Sequence, residues 1–480
     1  MKYLKPISVA LCLAMLLTSL ALASDSLAPE RAIVQADSPA QLQQALDEIG
    51  GQIIGSLEKS KTYLVTVPKS ASSDEPALSL KGRSGIQLIH PEAVYNLPEV
   101  NQISIGFPDE EDPQLNAGIS PANYYGQPGV YSTGIDSAQT MFDGSGITVA
   151  IIDNGIDFSH PLFAGANIVD GYDFVDDDSI PAEEVGPLQS HGTFVSGLIR
   201  LTAPGASLMP LRVFNENGEG YEWDVIQAIY WAIDHGANAI NMSFCTYYPG
   251  RTLETAINDA LNAGLVLLAS VGNDSTSVAA YPAAYTGVIA VSAIDTLEYR
   301  ASFSSWGTHV DLCAPGVSIY SSFSGEHPWG TWSGTSFAVA LVTGSVALAL
   351  QAHPELAGAA MQGHIRSTAR TALAWGNIGV PNVFYGYGCI DALAAVLPSA
   401  VAGDLDGSGT RDMTDLTLLL RVVNATSSAS KAASDLGATK INLAAADVNR
   451  DGVVNQADVD ATVRYMFWHA GSSYKMARVQ

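Results

Sequence analysis

The stretch "GTSFAVALVTG" (334–344) decides how the rest of the chain is read. Gly-Thr-Ser running into Ala, Val and Leu is what the buried start of a packed helix looks like. Ser336 is therefore either a small core residue or a nucleophile. Taken alone, the stretch favours the core residue. The other reading needs partners elsewhere, because a serine hydroxyl is a weak nucleophile until a neighbouring base takes its proton.

Partners are sought where strands end. "GITVAIIDNG" (146–155) is a short β-branched run that ends at Asp153, with Gly155 permitting a sharp turn. "SHGTFVSGLI" (190–199) places His191 just before a small-residue turn and an apolar helix, and "LLASVGND" (267–274) reads as a strand ending at Asn273. Around them, strand-like runs ("ANAINMSF", 237–244; "GLVLLASVGN", 264–273; "TGVIAVSAID", 286–295) alternate with helical ones. "YEWDVIQAIYWAIDHG" (221–236) has helical spacing at Val225, Ile229 and Ile233 before a stopping Gly236, and "LETAINDALNAG" (253–264) follows. Such alternation predicts an α/β fold, a parallel sheet with helices on both faces. Reactive groups in that fold sit where strands end and helices begin.

Singly, Asp153 reads as a cap, His191 as a loop residue and Asn273 as a turn former. Together they fall in the order Asp, His, Asn, Ser at turning points of one region. Asp…His…Ser is one of the orders found in serine hydrolase triads. The chemistry uses each part: the imidazole takes the serine proton, and the carboxylate fixes its tautomer and stabilises the cation. An Asn side chain and the Ser336 N–H at a helix start would face the developing oxyanion.

With these residues in place, the chain over about 120–398 resembles the subtilisin-like serine peptidases. "IIDNGID" (151–157), "HGTFVSG" (191–197) and "GTSFAVALVTG" correspond to that family's three signature blocks. "INMSF", "SVGND", "FSSWGTHVDLCAPG" and "GYGCIDALAAV" extend the likeness. The resemblance implies Asp153 as orienting acid, His191 as general base then acid, Ser336 as nucleophile and Asn273 as oxyanion donor. It also implies that Ser243, Phe244 and Cys245 line the substrate backbone. Phe194 stands where a second His is usual, Ala340 where a Pro is common, and Cys245 where a Gly is usual. A side chain at Cys245 would narrow the pocket for the residue before the cut. A lipase- or esterase-type hydrolase fits less well, because Ser336 lacks a Gly-x-Ser-x-Gly elbow.

The flanks read differently. "MKYLKPISVALCLAMLLTSLALAS" has two lysines, a short apolar run and Ala21-Leu22-Ala23, the pattern of a secretory signal peptide (1–23). Beyond it no segment reads as a membrane span, and the protein is expected to be secreted, to the extracellular space or a cell-surface complex. Residues 24–113 hold "AIVQA", "YLVTVP" and "GIQLIHPEAVYNL" as strands and "SPAQLQQALDEIGG" as a helix capped by Ser38 and stopped at Gly50-Gly51. They resemble the inhibitory propeptide of the same family, to be removed by a cut between 98 and 120. The catalytic region then spans 114–398. A net charge of −26, from 48 acidic and 22 basic residues, argues against nucleic acid or an anionic membrane as partner. Cys12 leaves with the leader; Cys245, Cys313 and Cys389 allow one pair at most, and buried thiols are the blander expectation.

Residues 399–468 carry two twelve-residue acidic loops, "DLDGSGTRDMTD" (404–415) and "DVNRDGVVNQAD" (447–458), before a tail at 469–480. Positions 1, 3, 5, 9 and 12 are Asp404, Asp406, Ser408, Asp412 and Asp415, then Asp447, Asn449, Asp451, Asn455 and Asp458. Thr410 and Val453 hold position 7, where a backbone carbonyl serves, and Gly409 and Gly452 the turn. This is oxygen-ligand spacing for Ca²⁺. Each loop leads into a single helix, and the duplication resembles a dockerin module, which implies a cohesin domain on a scaffold as partner. "DFVDDD" (173–178) is a candidate for a further structural calcium site in the catalytic region. The expectation is a secreted serine endopeptidase made as a zymogen and tethered through a calcium-dependent dockerin. The alternative is a catalytically silent scaffold whose work is the cohesin contact.

Overall fold

The computed structural model describes residues 30–68, 79–98, 121–325, 328–370 and 381–397, with 419, 420 and 459. The leader at 1–23 and both acidic loops, 404–415 and 447–458, lie outside these residues. The chain forms two compact units divided between Ala93 and Val94.

The first unit is a four-stranded antiparallel sheet of β1 (Glu30–Ala36), β2 (Gln52–Leu57), β3 (Thr62–Val67) and β4 (Ile86–Pro91), in the order β2-β3-β1-β4. Helix α1 (Pro39–Asp47) buries Leu42 and Leu46 with Val34, Tyr63 and Val65. As its sequence suggests, the Ser38 hydroxyl accepts from the Gln41 N–H at 3.3 Å, meeting one of the donors every helix start leaves over. Gly50, at φ +75°, lies just beyond the helix.

The second unit contains β5 (Val94–Asn96), β6 (Thr148–Asp153), β7 (Tyr172–Asp173), β8 (Ser207–Arg212), β9 (Glu219–Tyr221), β10 (Ala239–Met242) and β11 (Val266–Ser270). β12 (Val288–Ile294), β13 (Leu312–Pro315), β14 (Ile319–Ser322) and β15 (Trp329–Trp332) follow. Its longer helices are α2 (His191–Thr202), α3 (Glu222–Asp234), α4 (Arg251–Asn262), α5 (Thr335–Ala352) and α6 (Gly358–Thr368). Seven strands form a parallel sheet in the order β13-β12-β11-β10-β6-β8-β7. Every residue of β8, β10, β11, β12 and β13 is buried, which is why these strands read as continuous apolar runs. From β6 the chain winds toward β8 on one side and β10 on the other. The crevice at their carboxyl ends is where such sheets bind ligands.

Helix α5 packs against β10 to β13 and against α2. The α2–α5 contact is close because Gly344 faces Thr202: a Cβ there would lie 2.4 Å from the threonine Cβ. One expectation is amended here. Among the described residues, Thr335–Ala352 is long and apolar enough to cross a membrane by composition, yet 94% of it is buried in the unit, so it is a core helix.

Candidate active site

Strand β6 delivers Asp153 to the crevice, and the next residues wrap it. The Asn154 N–H donates to Asp153 Oδ1 at 2.8 Å, and the Asn154 side chain donates to the Leu188 carbonyl and accepts from the Gly192 N–H, both at 2.8 Å. The turn after Asp153 thereby grips the start of α2. Only glycine fits at 192, since a Cβ would lie 2.0 Å from the Gly155 carbonyl oxygen.

His191, the first residue of α2, donates through Nδ1–H to Asp153 Oδ1 at 2.7 Å, with both side chains shut off from solvent. A carboxylate at that distance fixes the tautomer and leaves Nε2 as the basic nitrogen. The ring lies edge-on to Trp332 and tilted against Phe337, at 5.8 Å in each case. Phe194 fills the space behind them, 4.5 Å from Phe337, so its departure from the family pattern is a packing choice.

Ser336 is the second residue of α5, and its hydroxyl donates to the Ser243 carbonyl at 3.1 Å. The Ser243 hydroxyl returns a bond to the Ser336 carbonyl, also 3.1 Å. This reciprocal pair locks the start of α5 to the residue following β10. Asn273, just past β11, accepts on Oδ1 from the Thr335 N–H at 3.0 Å and hydroxyl at 2.9 Å. With its carbonyl end on Thr335, the amide presents its NH₂ end on the other side. The four polar residues read from the sequence thus converge on one crevice. They supply a base with a fixed tautomer, a hydroxyl at a helix start and an amide donor beside it, the set acyl transfer uses.

Phe244 and Cys245 continue from Ser243 along the rim. Phe244 is buried and packs on Phe214 at 5.2 Å and edge-on to Tyr95 at 5.9 Å. Residues 94–96 lie in extended form beside it. β5 pairs antiparallel with β9, the Leu97 N–H donates to the Gly218 carbonyl at 3.0 Å, and Asn96 forms an antiparallel bridge with Cys245.

Glu183 went unnoticed in the sequence. Its carboxylate accepts from the Thr193 hydroxyl at 2.6 Å and the Ser190 N–H at 3.2 Å, and it meets the Ser324 hydroxyl. It ties the turn before His191 to the loop after β14. Burial, against the hydrogen bonds it accepts, pushes its pKa up to about 7.

The acidic segment at 173–178 is tied to Arg212. Asp173 Oδ1 accepts from the Val175 and Asp176 N–H groups at 2.9 and 3.0 Å, and its Oδ2 accepts from Arg212 at 2.7 Å. Asp176 and Glu184 complete the shell of Arg212 at 2.6 and 3.0 Å. Arg212 thus takes up part of the segment's negative charge, while Asp177 accepts from the Tyr172 hydroxyl at 2.8 Å and Asp178 from the Ile180 N–H at 2.7 Å.

Comparison with known proteins gives the same picture. The chain is 39% identical to subtilisin E of Bacillus subtilis (strain 168) over 268 residues, covering 53% of this chain and 66% of that protein. It is 37% identical to a subtilisin of Bacillus pumilus over 268 residues, covering 53% and 92%. Among solved structures it is similar to fervidolysin from Fervidobacterium pennivorans, a keratinolytic enzyme related to subtilisin, with a TM-score of 0.63 and 26% identity over 78% of this chain and 61% of that one. The model of the dockerin type I domain matches residues 402–466. The model of the subtilase family matches residues 144–388, just over half of the chain, and the chain belongs to that family.

Proposed function

We propose that the protein is a secreted serine endopeptidase that cuts peptide bonds through an acyl-enzyme. The observation that carries this is the buried 2.7 Å bond from His191 Nδ1 to Asp153, with Ser336 at the adjoining helix start. In the reaction, Nε2 of His191 takes the Ser336 proton as the hydroxyl swings from the Ser243 carbonyl to attack. Asp153 stabilises the imidazolium, and the proton then passes to the leaving amine. The Asn273 NH₂ and the Ser336 N–H hold the oxyanion. Ser243, Phe244 and Cys245 bind the substrate main chain as an added antiparallel strand.

The zymogen reading is supported by residues 94–96, which take that strand position. Asn96 pairs antiparallel with Cys245, at the rim where the substrate main chain is proposed to bind. The preceding segment then acts as inhibitor until the chain is cut. The two acidic loops bind Ca²⁺ through the residues named above, and the module they build binds a cohesin domain, as the match at 402–466 supports. Calcium there supplies only the fold of the docking module.

The test is mass spectrometry of the full chain produced with calcium, wild type beside Ser336→Ala. The wild type is expected to lose its segment up to residue 98–120 and the variant to retain it. Equal retention, with no labelling of wild type by a fluorophosphonate, overturns the peptidase reading and leaves the silent, docking scaffold.

A further inference from the structure

Cys313 and Cys389 are 76 residues apart in sequence and meet in the core of the second unit, with their sulfurs 3.1 Å apart. Both are fully buried, clustered with Ile294 and Tyr385. The backbone makes the meeting specific. The Cys313 N–H donates to the Gly388 carbonyl at 2.9 Å and the Ile390 N–H to the Cys313 carbonyl at 3.0 Å, so the two residues are partners in a parallel bridge. Cys389 is held from its other side by two bonds with Arg370, at 2.9 and 2.8 Å. Bridge partners project their side chains to the same face, and strands run about 4.8 Å apart. That spacing lies inside the roughly 4.4–6.8 Å a disulfide requires between its Cα atoms.

We infer that Cys313 and Cys389 are a modification site: the mature protein carries a disulfide between them. The bond forms by exchange with a disulfide-bearing oxidant. One cysteine thiolate attacks the oxidant and expels one thiol, and the second cysteine attacks the mixed disulfide and expels the other. In total two thiols and one disulfide become one protein disulfide and two thiols, with protons conserved. Closing from 3.1 Å to the covalent distance of about 2.05 Å takes roughly 1 Å of sulfur movement. The link closes a loop that contains Ser336 and all of α5, so it fastens both ends of the segment bearing the nucleophile.

The order of events follows from burial. Desolvation, with the neighbouring Cys389 sulfur, holds the Cys313 thiol well above its ordinary pKa. Since the thiolate is the reacting form, the folded dithiol exchanges slowly. Oxidation therefore precedes closure of the core, and the finished bond resists reductants. Cys245 stands apart, half-buried on the rim beside Asn96.

The test does not depend on export or on peptidase activity. The full-length Ser336→Ala chain is refolded with calcium in a mixture of oxidised and reduced glutathione, alkylated in denaturant and digested. The expected result is one peptide pair joining Cys313 to Cys389, two hydrogens lighter than its parts, with Cys12 and Cys245 alkylated. A sample folded under reductant and only then given oxidised glutathione is expected to oxidise many-fold more slowly. Cys313→Ala, Cys389→Ala and the double variant are expected to lower the melting temperature by similar amounts, because each removes the same link. Alkylation of both residues after refolding, pairing of either with Cys245, or additive melting shifts would overturn the inference.

Discussion

Asp153 and Asp173 end the strands on either side of β8, and each is 1% exposed, yet their partners differ in kind. Every oxygen of Asp173 is answered by backbone N–H groups or Arg212, so its charge is spent on holding the sheet edge. Asp153 gives Oδ1 to Asn154 and His191, and no described residue bonds its buried Oδ2. A buried carboxylate bonded to a guanidinium anchors; one fixed on an imidazole is placed to stabilise a positive charge on that ring. An acidic residue at a strand end therefore does not announce its role. Its partner does.

The contrast can be broken by experiment. Asp153→Asn should cost roughly 10⁴-fold in kcat, since an amide there favours the wrong imidazole tautomer. Its melting temperature should stay near wild type, and peptide hydrolysis beside calorimetry checks both. A loss of folding with no specific kinetic defect would make Asp153 a second anchor.

Arg212→Met should do the reverse. Leaving Asp173 buried without its guanidinium should destabilise the unit by about 3–5 kcal/mol. The kcat measured on the remaining folded enzyme should hold, and a urea titration reads the first number. A large kcat loss at unchanged stability would mean that Arg212 acts on Asp153 across the β6–β8 pair.

Glu183 should give the smallest effect, and its sign is fixed. Its folded pKa of about 7 lies above the ordinary 4.5, so the folded state binds the extra proton between those values. Its contribution to stability is fully present below about 4.5 and falls as pH rises through 7. Glu183→Gln should flatten that slope, as melting temperatures from pH 4.5 to 7.5 would show. An unchanged slope would place the titration elsewhere.

What was legible in the sequence follows the same division. Asp153, His191, Asn273 and Ser336 could be expected at one crevice because each sits in a contiguous block near a strand end or a helix start. Periodicity located α3 through Val225 and Ile229, both buried. Glu183 and Glu184 show where this stops. They are adjacent in an irregular segment, one turned to Thr193 and Ser190 and the other to Arg212. No spacing rule separates two glutamates in a loop, and only the fold brings their partners. The bridge between Cys313 and Cys389 was hidden for the same reason, since pairing across 76 residues leaves no local mark.

Helix α5 has a consequence for the chain before it folds. If the protein is exported, it is threaded through its channel as an unfolded strand, and eighteen residues of mean hydropathy 1.6 then present about the length that halts translocation and diverts a segment sideways into lipid. The hydroxyls of Ser336, Thr343 and Ser345, each bonded inside the folded unit, oppose that diversion while the chain is in transit. The polarity that seats Ser336 would then also let its helix pass a stop-transfer checkpoint.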